Sequence, residues 1–182
     1  MKSSKGSAYE RDFAKKLSLW FTYGERDDIF WRSSQSGGRA TTRAKIGKST
    51  ANQYGDITAT DPIGQCLIDN VTIELKRGYN NHSLMDVLYD KQNSLYSFIE
   101  QARTQAENAG TKYWWLIHKP DRRNPLIYIP FNFASFAKNL YDVMYPCIAL
   151  CYKSKGIKDF VYCYPFDDFL EHVDPAMFRN PI

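Results

Sequence analysis

"GDITATDPIGQCLIDNVTIELKRG", residues 55 to 78, sets Asp56 at the head of one apolar stretch and a Glu-x-Lys inside the next. Strand alternation puts Val71, Ile73 and Leu75 on one face and Thr72, Glu74 and Lys76 on the other. The first set suits a core beneath a helix. The second carries charges of both signs, which a solvated face does not call for. The segments 56 to 60 and 66 to 75, joined by the turn "TDPIG", are expected to form an antiparallel hairpin. That pairing would bring Asp56 and Glu74 together at the sheet's edge.

Two carboxylates so close repel unless they share a proton or a cation, and hard oxygen ligands suit Mg²⁺ or Mn²⁺. Lys76 would then stand where it can hold or deprotonate a water and stabilise charge on a phosphate oxygen. Upstream, residues 8 to 23 ("AYERDFAKKLSLWFTY") place Phe13, Ala14, Leu17, Trp20 and Phe21 at helical spacing, with Ser7 as a candidate cap. Glu10 falls in the middle of this apolar stripe. A carboxylate there must be paired, protonated or bound to a metal, because an unpaired buried charge is costly.

"IFWRS" (29 to 33) reads as a short strand, and 34 to 55 as a long loop rich in Gly, Ser, Thr and basic residues. From Trp31 to Thr50 stand Arg32, Arg39, Arg43, Lys45 and Lys48 and no acid, whereas the acids Asp159, Asp167, Asp168, Glu171 and Asp174 crowd the C-terminal end. Such polarity suits a polyanion on one face, with the loop mobile until nucleic acid arrives. Further along, Leu84 to Ala109 has helical periodicity ended by Gly110, and "YWWLIH" (113 to 118) and "LIYIP" (126 to 130) are two more strands. The order predicts an α/β domain with a central mixed sheet flanked by helices. Residues 131 to 182 are expected to form an extension packed on a core of residues 1 to 130.

A chain of 182 residues is sized for one domain and one site. Its 13 Tyr, 11 Phe and 4 Trp are enough to build a core and still supply flat rings for bases. "MKSSKGSAYERDF" is charged and polar, and no run approaches the roughly 18 apolar residues of a membrane span, so a cytoplasmic protein without a membrane partner is expected. Cys66, Cys147, Cys151 and Cys163 form no CxxC pair and read as reduced, mostly buried thiols.

With those residues in place, the chain resembles the PD-(D/E)XK nuclease superfamily, in the branch of archaeal Holliday junction resolvases and restriction-like phage nucleases. The shared pattern is a helix with Glu, a strand headed by Asp, a strand with Glu-x-Lys, then a helix and further strands. It matches Glu10, Asp56, Glu74 and Lys76, and the element order agrees from about residue 7 to 130. One departure is Gly55 in place of the usual proline. "SGGRATTRAKIGKSTANQYGDI", "ELKRG" and "FIEQARTQAENAG" are similar to a group of phage and prophage proteins. The resemblance implies a restriction-endonuclease-like core and a metal-dependent DNA endonuclease of resolvase type, selective for branched DNA and working as a homodimer. It implies Mg²⁺, with Mn²⁺ as substitute, on Asp56, Glu74, the Leu75 carbonyl and Glu10. Lys76 would position the water, Gln101 would be the added helix residue, and Arg32, Ser36, Arg39, Arg43, Lys45 and Lys48 would hold the DNA backbone.

Competing readings are blander. Glu74 and Lys76 could be an exposed ion pair, Glu10 a carboxylate paired with Lys or Arg, and the basic loop a solvated linker. Gly47-Lys48-Ser49 lacks the first glycine and the leading strand of a P-loop, so no nucleotide cofactor is expected. Cys147, Cys151, Cys163 and His172 have zinc-ligand types at irregular spacing. A sequence-specific restriction enzyme, or a non-catalytic DNA-binding or packaging-associated protein, are the alternative functions.

Overall fold

The computed structural model describes residues 5–33, 54–79, 94–137, 148–154 and 157–179. Helix α1 (Lys5–Phe21) buries Phe13, Ala14, Leu17 and Phe21 along the stripe that the periodicity predicts. The buried Ser18 bonds back to the Ala14 carbonyl at 2.8 Å and accepts the Phe30 N–H at 2.9 Å, which ties the next strand to the helix. That strand, β1 (Phe30–Arg32), pairs antiparallel with β2 (Ile57–Ala59) in a separate two-stranded sheet.

The expected hairpin does not form. After β2 the chain enters a 3₁₀ turn (Pro62–Gly64) and a short helix, α2 (Gln65–Asn70), and only then β3 (Val71–Arg77). Asp61 caps the 3₁₀ turn by accepting the Ile63 N–H at 3.0 Å, Pro62 fits its first position, and Asn70 closes α2 by bonding the Cys66 carbonyl at 2.9 Å. "QCLIDN" is therefore helical, with Leu67 turned into the core.

Strand β3 begins the main sheet. With β4 (Tyr113–Lys119), β5 (Leu126–Pro130), β6 (Ile148–Ser154) and β7 (Ile157–Pro165) it forms a five-stranded mixed sheet in the order β3-β4-β5-β7-β6. Among the described strands only β3 and β4 are parallel, and the crossover between them contains α3 (Ser94–Ala109). The predicted helix over 84–109 is seen from Ser94 onward; its first part lies outside the described residues. Gly110 follows with φ +72°, as a helix-ending glycine should.

The two faces of β3 meet different cores. Val71, Ile73 and Leu75 join α1 and the aromatic cluster around Trp115, whereas Trp114 and Leu116 of β4 face Leu95, Phe98, Ile99, Ala102 and Ala106 of α3. Thr72, Glu74 and Lys76 lie on this second side, under α3.

Residues after 130 complete the same sheet: β7 inserts between β5 and β6. Helix α4 (Phe131–Phe136) buries Phe133, and the C-terminal α5 (Phe166–His172) and α6 (Ala176–Arg179) bury Phe166, Phe169 and Phe178 beside α1. Of the cysteines described, Cys163 is buried, Cys66 half-buried and Cys151 exposed, so the expectation of mostly buried thiols holds for one of three; Cys147 lies outside the described residues. No described helix is long and apolar enough to cross a membrane.

Candidate active site

Glu74 sits where the alternation of β3 puts it, 3% exposed, opposite Leu116 of β4 and beneath α3. Its Oε1 accepts Lys76 Nζ at 2.6 Å and Gln101 Nε2 at 2.7 Å, and the Gln101 carbonyl oxygen accepts the same lysine at 2.9 Å. Lys76 is thus fixed at two points, and its ammonium also lies 5.2 Å from the centre of the Phe98 ring. The other oxygen, Oε2, is buried and has no hydrogen-bond partner among the described residues. A bare buried carboxylate oxygen is costly, and a cation would satisfy it.

Asp56 reaches this edge without a hairpin. Its N–H donates to the Ile73 carbonyl at 2.8 Å, its carbonyl accepts the Ser33 N–H at 2.7 Å, and its Oδ2 accepts the Leu75 N–H at 2.8 Å. Burial, and then the charge of Glu74, push the Asp56 carboxyl up to about 7, against the pull of the Leu75 N–H. Burial raises Glu74 as well, opposed chiefly by Lys76 and by the nearby Gln105 amide. Glu10, on α1, adds to the repulsion on both carboxylates. Its own carboxylate pairs with Arg32 Nε at 3.1 Å.

The structure therefore brings Asp56, Glu74, Lys76 and Gln101 together, with Leu75 backbone between the acids and Glu10 within electrostatic reach. Arg32 stands at the end of β1 beside Glu10; Ser36, Arg39, Arg43, Lys45 and Lys48 lie outside the described residues. Among the described residues no three of His, Cys, Asp and Glu gather as a ready-made metal cage. Mg²⁺ does not need one, since it is commonly held by one or two carboxylates and keeps several waters. The all-oxygen donor set and the orphaned Glu74 Oε2 fit such an ion.

Sequence reasoning missed Gln105. One turn beyond Gln101 on α3, it accepts the Gly55 N–H at 2.8 Å and so anchors the residue before Asp56 from above. Its i, i+4 spacing from Gln101 was the available signal, since both amides then share one helix face.

Gly55 explains its own departure from the family pattern. It has φ +80°, which proline cannot adopt, and a Cβ here would stand 2.8 Å from the Ile73 carbonyl oxygen and 3.2 Å from the Ile73 nitrogen. Neither atom can yield without opening the Asp56–Ile73 bond. Gly55→Ala is expected to cost about 2 kcal/mol in denaturant unfolding. Cleavage should fall by more than that loss of folded protein accounts for, because Asp56 moves. Equal stability and activity in Gly55→Ala would show that the close approach does not hold the aspartate.

A family model described as "Phage putative PDDEXK endonuclease" matches residues 1–180. The match includes the C-terminal strands and helices that the sequence resemblance left out. No curated protein and no solved structure matches the chain.

Proposed function

Because the chain belongs to this PD-(D/E)XK family of phage endonucleases, we propose that it is a metal-dependent DNA endonuclease. The observation that carries the reading is the buried Glu74, one oxygen held by Lys76 and Gln101 and the other bare beside Asp56. Asp56, Glu74 and the Leu75 carbonyl would hold Mg²⁺ or Mn²⁺, with Glu10 joining if it leaves Arg32. Bound there, the cation supplies the positive charge that acidifies a water and neutralises the phosphate.

The chain's own residues do the rest. Glu74 and Gln101 fix the Lys76 ammonium, so that it orients the attacking water and donates to a phosphate oxygen without reorganising as charge develops. Gln105 and Gly55 keep Asp56 in register with Glu74. Arg32, at the mouth of the site, can exchange Glu10 for a backbone phosphate. Contacts of this kind grip the backbone without reading bases, which favours a structure-selective substrate such as a junction or flap. Symmetric cutting of two strands would take a homodimer.

The test is cleavage of end-labelled four-way junction, flap, single-stranded and linear duplex DNA in Mg²⁺, Mn²⁺ and EDTA. The expected result is metal-dependent cutting that ranks branched above linear duplex DNA. Cutting at a fixed duplex sequence would instead make this a restriction-type enzyme. Salt-sensitive binding with no cutting on any substrate would leave a DNA-binding protein without catalysis.

A further inference from the structure

Beyond the catalytic strand the chain presents a ring that the cleavage chemistry does not use. Tyr79 stands two residues past the end of β3, three past Lys76, and is 51% exposed. At strand rise its Cα is within roughly 10 Å of that of Lys76. Its backbone is left-handed, φ +57°, after Gly78 at φ +88°. Such a backbone is unfavourable for an aromatic residue and persists only where neighbours impose it. Here they do: the Gly78 N–H donates to the Lys119 carbonyl at 3.0 Å, and the Gly78 carbonyl is 2.9 Å from Nε2 of the buried His118. The Tyr79 ring then stands on the Phe98 ring, centroids 4.8 Å apart and planes at 66°. Phe98 is the ring that also meets the Lys76 ammonium. An exposed aromatic is thus coupled through one side chain to the proposed catalytic lysine.

We infer that Tyr79 is a stacking platform for an unpaired nucleobase next to the cleaved phosphate, and that it sets the preference for branched over fully paired DNA. The inference rests on the nuclease reading above. A base inside a duplex has both faces covered, whereas a base at a branch point can lay one face on the ring, and such stacking tolerates any sequence.

The experiment uses the full chain and flap DNA carrying 2-aminopurine at the unpaired position beside the branch, with the matching duplex as control. Wild type is compared with Tyr79→Phe, Tyr79→Ala and Tyr79→Asn, the last of which suits the left-handed backbone while removing the ring. In wild type and Tyr79→Phe, stacking should quench the 2-aminopurine emission. In Tyr79→Ala and Tyr79→Asn the quench should be lost, and the flap-to-duplex ratio of binding and of kcat/KM should fall roughly tenfold, within the range of one aromatic–base stack. An unchanged ratio in Tyr79→Ala, or a loss in Tyr79→Phe equal to that in Tyr79→Ala, would overturn the proposal. If wild type cuts nothing, the nuclease reading fails, and the quench and binding ratio still decide the role of Tyr79.

Discussion

Asp56→Asn is expected to abolish metal-dependent cleavage and, at the same time, to raise the melting temperature of the metal-free protein. The two effects share one cause. Asp56 is half-buried beside the buried Glu74; burial raises both carboxyls, and the charge of Glu74 lifts Asp56 further, to about 7. Above that pH the metal-free chain must hold two neighbouring negative charges out of water. Asparagine removes one of them and keeps an oxygen to accept the Leu75 N–H. The gain should be on the order of 2 kcal/mol at pH 8, roughly 5 °C for a chain of this size. Cleavage should drop about 10³-fold or more, because a required ligand of the cation is lost.

The sign of the pH dependence follows. Between about pH 4 and pH 7 the folded chain keeps protons that the unfolded chain has released. Stability contributed by these groups is therefore present at low pH and lost as pH rises through the folded value. Mn²⁺ should reverse the trend, competing better with protons as pH rises and raising the melting temperature of wild type but not of Asp56→Asn. A melting temperature that falls in Asp56→Asn without metal would mean that the carboxylate stabilises the fold, and the site would not be a strained cation site.

Lys76→Met should go the other way on stability. Its ammonium pairs with Glu74 at 2.6 Å, with lysine and glutamate side chains only 13% and 3% exposed. Removing it leaves a buried carboxylate with only the neutral amides of Gln101 and Gln105 beside it, a loss of about 3 kcal/mol at neutral pH. That loss should shrink in acid, where Glu74 can take a proton instead. Cleavage should again fall about 10³-fold, since the group that orients the water and neutralises the phosphate is gone. The pair of variants makes a sharp contrast, both inactive, one more stable and one less. An inactive Lys76→Met with wild-type stability would place Lys76 in the chemistry but not in the buried network.

What the sequence disclosed, and what it hid, divides by range. Period-2 alternation from Val71 to Lys76 placed the two faces of β3 correctly, because each face meets its own core. The stripe of α1 and the strands at 113 and 126 were equally readable from local pattern. Residues 66 to 70 mislead locally too: Cys66, Leu67 and Ile68 look like a strand, and the Asp61-Pro62 pair looks like a hairpin turn although it starts a helical one. The i, i+4 spacing of Gln101 and Gln105 puts both amides on one face, but that Gln105 meets the Gly55 N–H depends on how far α3 sits above β3, which the spacing does not encode. Nor does composition reveal that Tyr162 and Tyr164 belong to a strand inserted between β5 and β6.

Strand β3 ends the five-stranded sheet, and its outer side is met by Asp56, through the backbone bond to Ile73 and the carboxylate bond to Leu75. The aspartate thereby shields an exposed sheet edge from pairing with another chain, a standing route to aggregation. A descendant that discarded catalysis by replacing Asp56 with an apolar residue would free the Leu75 N–H of that edge as well. Solubility and chemistry are under one constraint at this position, so decay of the enzyme should begin elsewhere in the site, at Lys76 or Gln101, and reach Asp56 last.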